Sequence, residues 1–521
     1  MSRDHAESDP PGPRQAVVLI HGIGEQRPMD TLRAFVAALL PEDKQHANSV
    51  SSGQAETQDQ QKYYSKPDTL GDSYELRRLK LRRVDVGKNA PENVNADWPE
   101  TDFYEYYWAH QMYGTTVSHV VGWLIRTLAR GWRLIKTPTK DDERVRKLSV
   151  VMWAVTIVTV AVLSAGTWLF ISRPQARAAL PVLGALGALL YLLGKVLEYL
   201  RMVLLGFVLD VIGDVARYLD VAPKNVARRY DILRGGLALL RNLHDARDER
   251  GDKVMYRYGR VILVGHSLGS VIAYDLLRHY WAEVNGRINV EHIDLKMVEG
   301  FYPAGSPPPQ PPSEPYQKDF RSAQTGVWRA IAERVPSGRP LEKRRLWHDV
   351  QGGAKAPCAE AATEPPDGWR PARWLVSDLI TLGSPLAHAP VLLADGIDGK
   401  DGLGNKIRLR ELPTCPPDRS RHLNPGRFTV DLSAEADRFD HYPILHHAAH
   451  FAVTRWTNFW CPRDFIGGPL HSFFGPGICD ERLADLSKHP VRAHTSYWTK
   501  SDGTCVKSLR AILRTPMSEG E

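Results

Sequence analysis

The chain has 521 residues, with 67 Lys plus Arg against 60 Asp plus Glu for a formal charge of +7. It is longer than one ordinary domain and long enough to bury a large core, and an α/β fold carrying insertions accounts for that length. The basic excess gathers beside one apolar region instead of forming a basic patch interleaved with aromatics, which argues against nucleic-acid binding. Cys358, Cys415, Cys461, Cys479 and Cys505 are odd in number and hold no C-x-x-C pair, so neither a disulfide framework nor a zinc site is expected.

The N-terminus MSRDHAESDPPGPRQ is polar and proline-bearing, without the apolar stretch of a cleavable secretion signal. AVVLIHGIGEQ (16–26) reads as a buried strand running into a glycine-bearing loop, and TLRAFVAALL (31–40) as a helix. A strand leading into His21-Gly22-Ile23-Gly24 resembles the opening of an α/β-hydrolase. That resemblance implies that a backbone amide of this loop, expected at Ile23, helps hold the reacting oxygen. Residues 43–72 are polar and read as a solvated loop, while 74–86 and 101–110 have the alternation and aromatic content of strands of the same sheet.

From Val117 to Ile135, Val121, Leu124, Leu128, Trp132 and Ile135 recur on one face and Arg126, Arg130 and Arg133 fall elsewhere, the pattern of a basic amphipathic helix at a membrane surface. LSVVMWAVTIVTVAVLSAGTWLFI (148–171) follows with 24 charge-free residues, enough to cross about 30 Å of hydrocarbon. A second apolar run at 178–194 is close to the minimum for a span, with Lys195 and Arg201 placed to snorkel. Residues 148 to about 206 therefore read as a transmembrane helical hairpin, the alternative being one span plus a re-entrant or interfacial helix. Eight Lys and Arg between 126 and 147 precede the first span, against Arg173 and Arg177 in the link, a bias that puts the flanking domain in the cytoplasm. A hairpin returns the chain to its starting side, so the sheet is completed from segments before and after it.

Residues 207–245 are amphipathic and read as helices on the sheet. VILVGHSLGSVIAYDLL (261–277) then gives an apolar β-branched run, Gly265-His266-Ser267-Leu268-Gly269, and a helical pattern. Strand, sharp turn and helix is the context in which G-x-S-x-G pushes a serine hydroxyl out at the edge of a sheet, so Ser267 is the candidate nucleophile and the Leu268 amide is available to an oxyanion. Proline and glycine accumulate over 302–372, which reads as a long irregular excursion. WLVSDLITLGSPL (374–386) and FAVTRWTNFW (451–460) restore strands.

A serine nucleophile needs a base within hydrogen-bond reach and an acid that orients the base, in the chain order Ser, acid, His. CPRDFIGGPL follows the 451–460 strand and offers Asp464 as the acid; His494 opens HTSYW and serves as the base. Asp480 is the reserve acid, with Asp378 and Asp431 as weaker choices. His441, His446, His447 and His450 cluster near Tyr442 and lack further ligands at fitting spacing, so they read as capping, packing or surface groups instead of a metal site; any of them stands as an alternative base.

GHSLGSVIAYDLL, TLGSPL, WTNFWCPRDFIGGPL and HTSYW, in that order, resemble the catalytic core of lipase-type α/β-hydrolases, in particular the DDHD-type intracellular phospholipases A. That family has its nucleophile in an SHSLGS-like elbow, its acid in an N-x-x-x-P-x-D-P-V-like loop and its base in an H-x-x-Y-W-like segment, which correspond to Ser267, Asp464 and His494. The chain differs in having Gly265 in the elbow, Phe465-Ile466 after the acid and no DDHD signature. The expectation is an α/β-hydrolase domain of residues 14–112 and 207–515, interrupted by a membrane-associated helical insertion at 113–206. It implies a membrane-anchored hydrolase of lipid or other acyl esters, facing the cytoplasm and needing neither cofactor nor metal. A thioesterase, an acyltransferase or a peptidase would use the same machinery, and an idle membrane scaffold is the competing non-enzymatic reading.

Overall fold

A computed structural model describes residues 14–22, 27–40, 63–71, 77–81, 99–112, 164, 218–219, 223–250, 253–288, 313–333, 372–394, 396–417, 429–430 and 444–514. The expected amphipathic helix at 117–135 and both apolar runs lie outside these residues save for position 164. Among the described residues no helix is long and apolar enough to cross a membrane.

The strands are β1 (Arg14–Ile20), β2 (Tyr63–Pro67), β3 (Arg77–Leu81), β4 (Thr101–Tyr106), β5 (Arg247–Arg250), β6 (Lys253–Tyr256), β7 (Tyr258–His266), β8 (Val376–Leu382), β9 (Thr429–Val430), β10 (Ile444–Leu445), β11 (Arg455–Trp460) and β12 (Cys479–Arg482). Helices of six or more residues are α1 (Asp30–Leu39), α2 (Pro223–Asp245), α3 (Leu268–Val284), α4 (Glu314–Glu333), α5 (Leu403–Arg408), α6 (Pro490–Thr495) and α7 (Thr504–Arg514). Eight strands form one sheet in the order β12-β11-β8-β7-β1-β4-β3-β2, and β5–β6 and β9–β10 are separate antiparallel pairs. From β12 to β4 every neighbouring pair is parallel, and β3 and β2 close one edge antiparallel.

The apolar runs of the central strands follow from burial on both faces. Ala16, Val18 and Ile20 of β1 and Val261 and Leu263 of β7 enter one core with Ile232 and Leu243 of α2, Val271 and Leu276 of α3, and Phe320 and Trp328 of α4. Val17, Leu19, Ile262 and Val264 face the opposite way into a core with Leu32, Phe35 and Val36 of α1 and Val506, Leu509 and Leu513 of α7. The result is a sheet with helices on both sides, each buried Leu, Ile or Phe contributing on the order of 1.5–3 kcal/mol. Arg510 of α7 also donates to the carbonyls of Ala38 and Leu39, satisfying the last turn of α1.

Two segments differ from their sequence reading. Tyr63–Pro67, inside the stretch read as a solvated loop, is the edge strand β2; an edge strand has one partner and one exposed flank, so its sequence need not be apolar. Residues 314–333, inside the excursion read as irregular, form α4, where Phe320, Ala323, Val327, Trp328 and Ile331 recur at helical spacing and are buried. The prolines that suggested irregularity flank this helix on both sides, and Pro315 stands in its first turn, where a missing N–H costs nothing.

The chain begins at β1, moves to the β4 side, and returns through β7 on the other side. The order therefore reverses between β1 and β7, and in open parallel sheets that reversal opens a crevice at the carboxyl ends of the strands. The register brings those ends level: Ile20 pairs with Gly265, His266 with Leu382, and Leu382 with Phe459. The backbone continues the ladder one step, with the Ser267 amide donating to Leu382 and the Gly383 amide to Phe459, each at 3.0 Å.

Candidate active site

The residues that follow β1, β7, β8 and β11 meet on this level edge. Ser267 sits between β7 and α3 at φ 52°, ψ −127°, a conformation uncommon for any residue with a side chain. Its neighbours make that turn possible because nothing larger than glycine fits there. A Cβ on Gly269 would lie 2.1 Å from the carbonyl oxygen of Ile20, and one on Gly265 would lie 2.5 Å from Cα of Ser270. Helix α3 thus starts in direct backbone contact with the end of β1. The Ser270 hydroxyl donates to the carbonyl of Ser267 and lies 2.7 Å from Ser384 Oγ, tying the first turn of α3 to the segment after β8.

His494 Nε2 lies 2.9 Å from Ser267 Oγ. On the other side of the ring, Nδ1 lies 3.1 and 3.0 Å from the two carboxylate oxygens of Asp464. Ser267, His494 and Asp464 are 2%, 2% and 1% exposed. The hydroxyl does stand at the sheet's edge, and Gly22, just after β1, packs against the same residue: a Cβ on Gly22 would come within 2.9 Å of Ser267 Cβ. In so dry a setting each polar contact acts at low dielectric.

Asp464 accepts further bonds from the Ile466 amide at 2.9 Å and the Tyr497 hydroxyl at 2.7 Å, and from the Gly467 amide. Burial alone would raise its pKa, yet the neighbouring imidazole and these donors hold it below the ordinary carboxylate value. The close approach of this loop is again bought by glycine: Gly383 has φ +57°, and a Cβ there would lie 2.8 Å from both Asp464 Oδ2 and Tyr497 Cε2.

His266 fills the space behind the base, its ring 5.1 Å from that of His494 and 4.9 Å from that of Trp498, with Nε2 2.9 Å from the His494 carbonyl oxygen. Burial pushes His266 down to about 3, so it stays neutral and donates that bond from Nε2–H. His21 stacks on Trp108 and is likewise pushed down, by burial, to about 4.

The structure therefore brings Ser267, Asp464 and His494 together. Leu268 is the first residue of α3, where a backbone amide has no acceptor within the helix. Ile23 lies outside the described residues. His494 sits in the short helix α6. Asp480 is on β12, where it accepts from the Leu470 and His471 amides, Asn458 Nδ2 and His471 Nδ1, all between 2.6 and 3.0 Å. Those bonds staple the loop that follows Asp464. Asp378 is spent near the opposite end of the sheet between Arg260 and Arg455, with contacts of 2.6 and 2.8 Å; burial opposes its charge and the two guanidinium groups prevail, holding its pKa far down. Asp431 and His441 fall outside the described residues. His446 and His450 are buried around Trp281, and among the described residues no group of three or more metal-ligating side chains occurs. Sequence reasoning missed His266 and Tyr497 as contacts of the site, although both stand in the motifs GHSLG and HTSYW.

Chemically, the line Ser267, His494, Asp464 sets a hydroxyl within hydrogen-bond reach of an imidazole whose charged form a buried carboxylate would stabilise. No family model, curated protein or solved structure matches the chain.

Proposed function

We propose that the protein is a serine hydrolase of the α/β-hydrolase kind that cleaves ester bonds of lipid or other acyl substrates. The observation that carries this reading is the continuous hydrogen-bonded line from Ser267 Oγ through both nitrogens of His494 to Asp464, at 2.9 and 3.0 Å. Ser267 attacks the acyl carbonyl while His494 takes its proton and returns it to the leaving alcohol. Asp464 fixes the imidazole tautomer with the proton on Nδ1, and the amide of Leu268, with that of Ile23, holds the oxyanion. A scaffold has no physical need for a strained serine aligned with a base and a buried acid. The resemblance of the four motifs to DDHD-type phospholipases A supports a lipid ester as substrate.

Membrane anchorage belongs to the same reading and rests on the charge-free run 148–171 and the basic flank before it. An enzyme held at the bilayer reaches esters whose acyl chains cost about 0.8 kcal/mol per methylene to withdraw. The test of the chemistry is covalent labelling by a fluorophosphonate, abolished in Ser267→Ala. Folded wild-type protein that neither labels nor turns over any ester overturns it. Replacing residues 117–206 by a flexible linker should spare a small soluble ester and depress hydrolysis of vesicle lipid; recovery of the wild type in an alkaline supernatant refutes the anchorage.

A further inference from the structure

Asp464 has two side-chain donors. His494 Nδ1 contacts both oxygens, and the Tyr497 hydroxyl, three residues further along, reaches Oδ2 at 2.7 Å, a shorter contact than the imidazole's own. Tyr497 is 1% exposed, and its ring is held against Gly383, so the hydroxyl is shielded from bulk solvent. The carboxylate has to divide its charge between a neutral phenol and the base of the reaction.

We propose that Tyr497 is a positioning residue that sets the basicity of His494 through Asp464, and so sets the pH above which Ser267 becomes a nucleophile. This rests on the hydrolase reading for its kinetic consequence but not for its electrostatics. A phenol donating to Oδ2 draws negative charge away from the carboxylate, which weakens its stabilisation of the imidazolium formed when His494 takes the serine proton. Removing that donor leaves the carboxylate more fully charged toward Nδ1–H, so the imidazolium becomes more stable and the base is neutral only at higher pH. Without that donor the His494 imidazole and the Gly467 amide still favour the ionised form of Asp464, and the Ile466 amide still donates to Oδ1 at 2.9 Å.

The groups that face this cluster permit the shift to be read at His494. From the turn between β7 and α3 come Ser267 and His266, with His21 behind them; from β11 and the loop after it, Cys461 and Asp464; from α7, Cys505. His266 and His21 are held neutral by burial across the working range, and Cys505 is pushed far up by burial.

The test is Tyr497→Phe, which keeps the ring and deletes the hydroxyl. The pH dependence of Ser267 labelling by a fluorophosphonate should keep its shape, with its acidic limb moved up by roughly half to one pH unit. Replacing Tyr497 by a difluorotyrosine, a stronger donor, should move the limb the opposite way, and this serves as well if the Phe variant folds poorly. The second readout needs no catalysis: NMR titration of [13C]histidine-labelled protein, with the His494 signal identified by its loss in His494→Gln, should show the same upward shift in Tyr497→Phe. An unmoved titration in both folded variants, or a uniform loss of rate at every pH, overturns the inference. Wild type that never labels while His494 still shifts in Tyr497→Phe fails the hydrolase reading and leaves the coupling standing.

Discussion

Two aspartates follow β11 within reach of one loop, and exchanging each for asparagine separates chemistry from scaffolding. In Asp464→Asn a carboxamide oxygen at the Oδ1 position still accepts from the Ile466 amide, so the NH2 group takes the Oδ2 position, 3.0 Å from His494 Nδ1. A donor at that position demands a lone pair on Nδ1, which places the ring proton on Nε2, facing Ser267 Oγ at 2.9 Å. The base then carries its proton on the wrong nitrogen. In the serine-protease example of this substitution the loss is about 10⁴ in turnover, or ~5 kcal/mol of transition-state stabilisation, and the same loss is expected here. Asp480→Asn instead weakens charge-assisted bonds to the Leu470 and His471 amides and to His471 Nδ1. It should cost about 1–3 kcal/mol of stability and leave turnover per folded molecule nearly intact. The assay is ester hydrolysis normalised to active sites titrated with fluorophosphonate, beside a thermal melt of each variant. Folded Asp464→Asn within tenfold of wild type, or folded Asp480→Asn without activity, would refute the assignment.

Gly269→Ala tests the elbow itself. Its Cβ would meet the Ile20 and His21 carbonyl oxygens at 2.1 and 2.5 Å, both rigid backbone, so α3 must withdraw from β1; expected are a loss of about 1–3 kcal/mol, read by denaturant melts, and a collapse of Ser267 labelling, and wild-type behaviour in both would refute the packing argument. A pH prediction follows from the buried histidines His266, His244 and His446, which burial pushes to about 3, and His21, pushed to about 4. Folding disfavours their charged forms, so stability is fully present above their ordinary value of 6.5 and declines as pH falls below it toward the folded values, by about 1 kcal/mol for each histidine at pH 5.5. Thermal melts should fall steeply between pH 6.5 and 5.5 with net proton uptake on unfolding, and a flat profile there would contradict the burial of these rings.

Much of the fold was legible because its signals are local. The β-branched run into Gly265 and Ser267, the helical spacing after it, and the strands β1, β8 and β11 each declare themselves within a dozen residues, since a strand buried on both faces must be apolar throughout. Ser267, Asp464 and His494 were named from motif and chain order alone. The edge strand β2 and helix α4 were not, the first because an edge strand buries little, the second because the proline-rich stretches on both sides of α4 masked its helical spacing. Only the tertiary structure decided which carboxylate meets His494. Asp464 and Asp480 follow the same strand, and what separates them is the register of β8, β11 and β12, which carries Gly383 against the Asp464 loop and leaves Asp480 to staple that loop. The same holds for His266 and Tyr497, whose ring positions depend on β7 and the C-terminal segment packing across more than 200 residues of chain. Such contacts have no period and no fixed spacing in sequence; they exist only once the level carboxyl edge of the sheet has brought distant turns to one place.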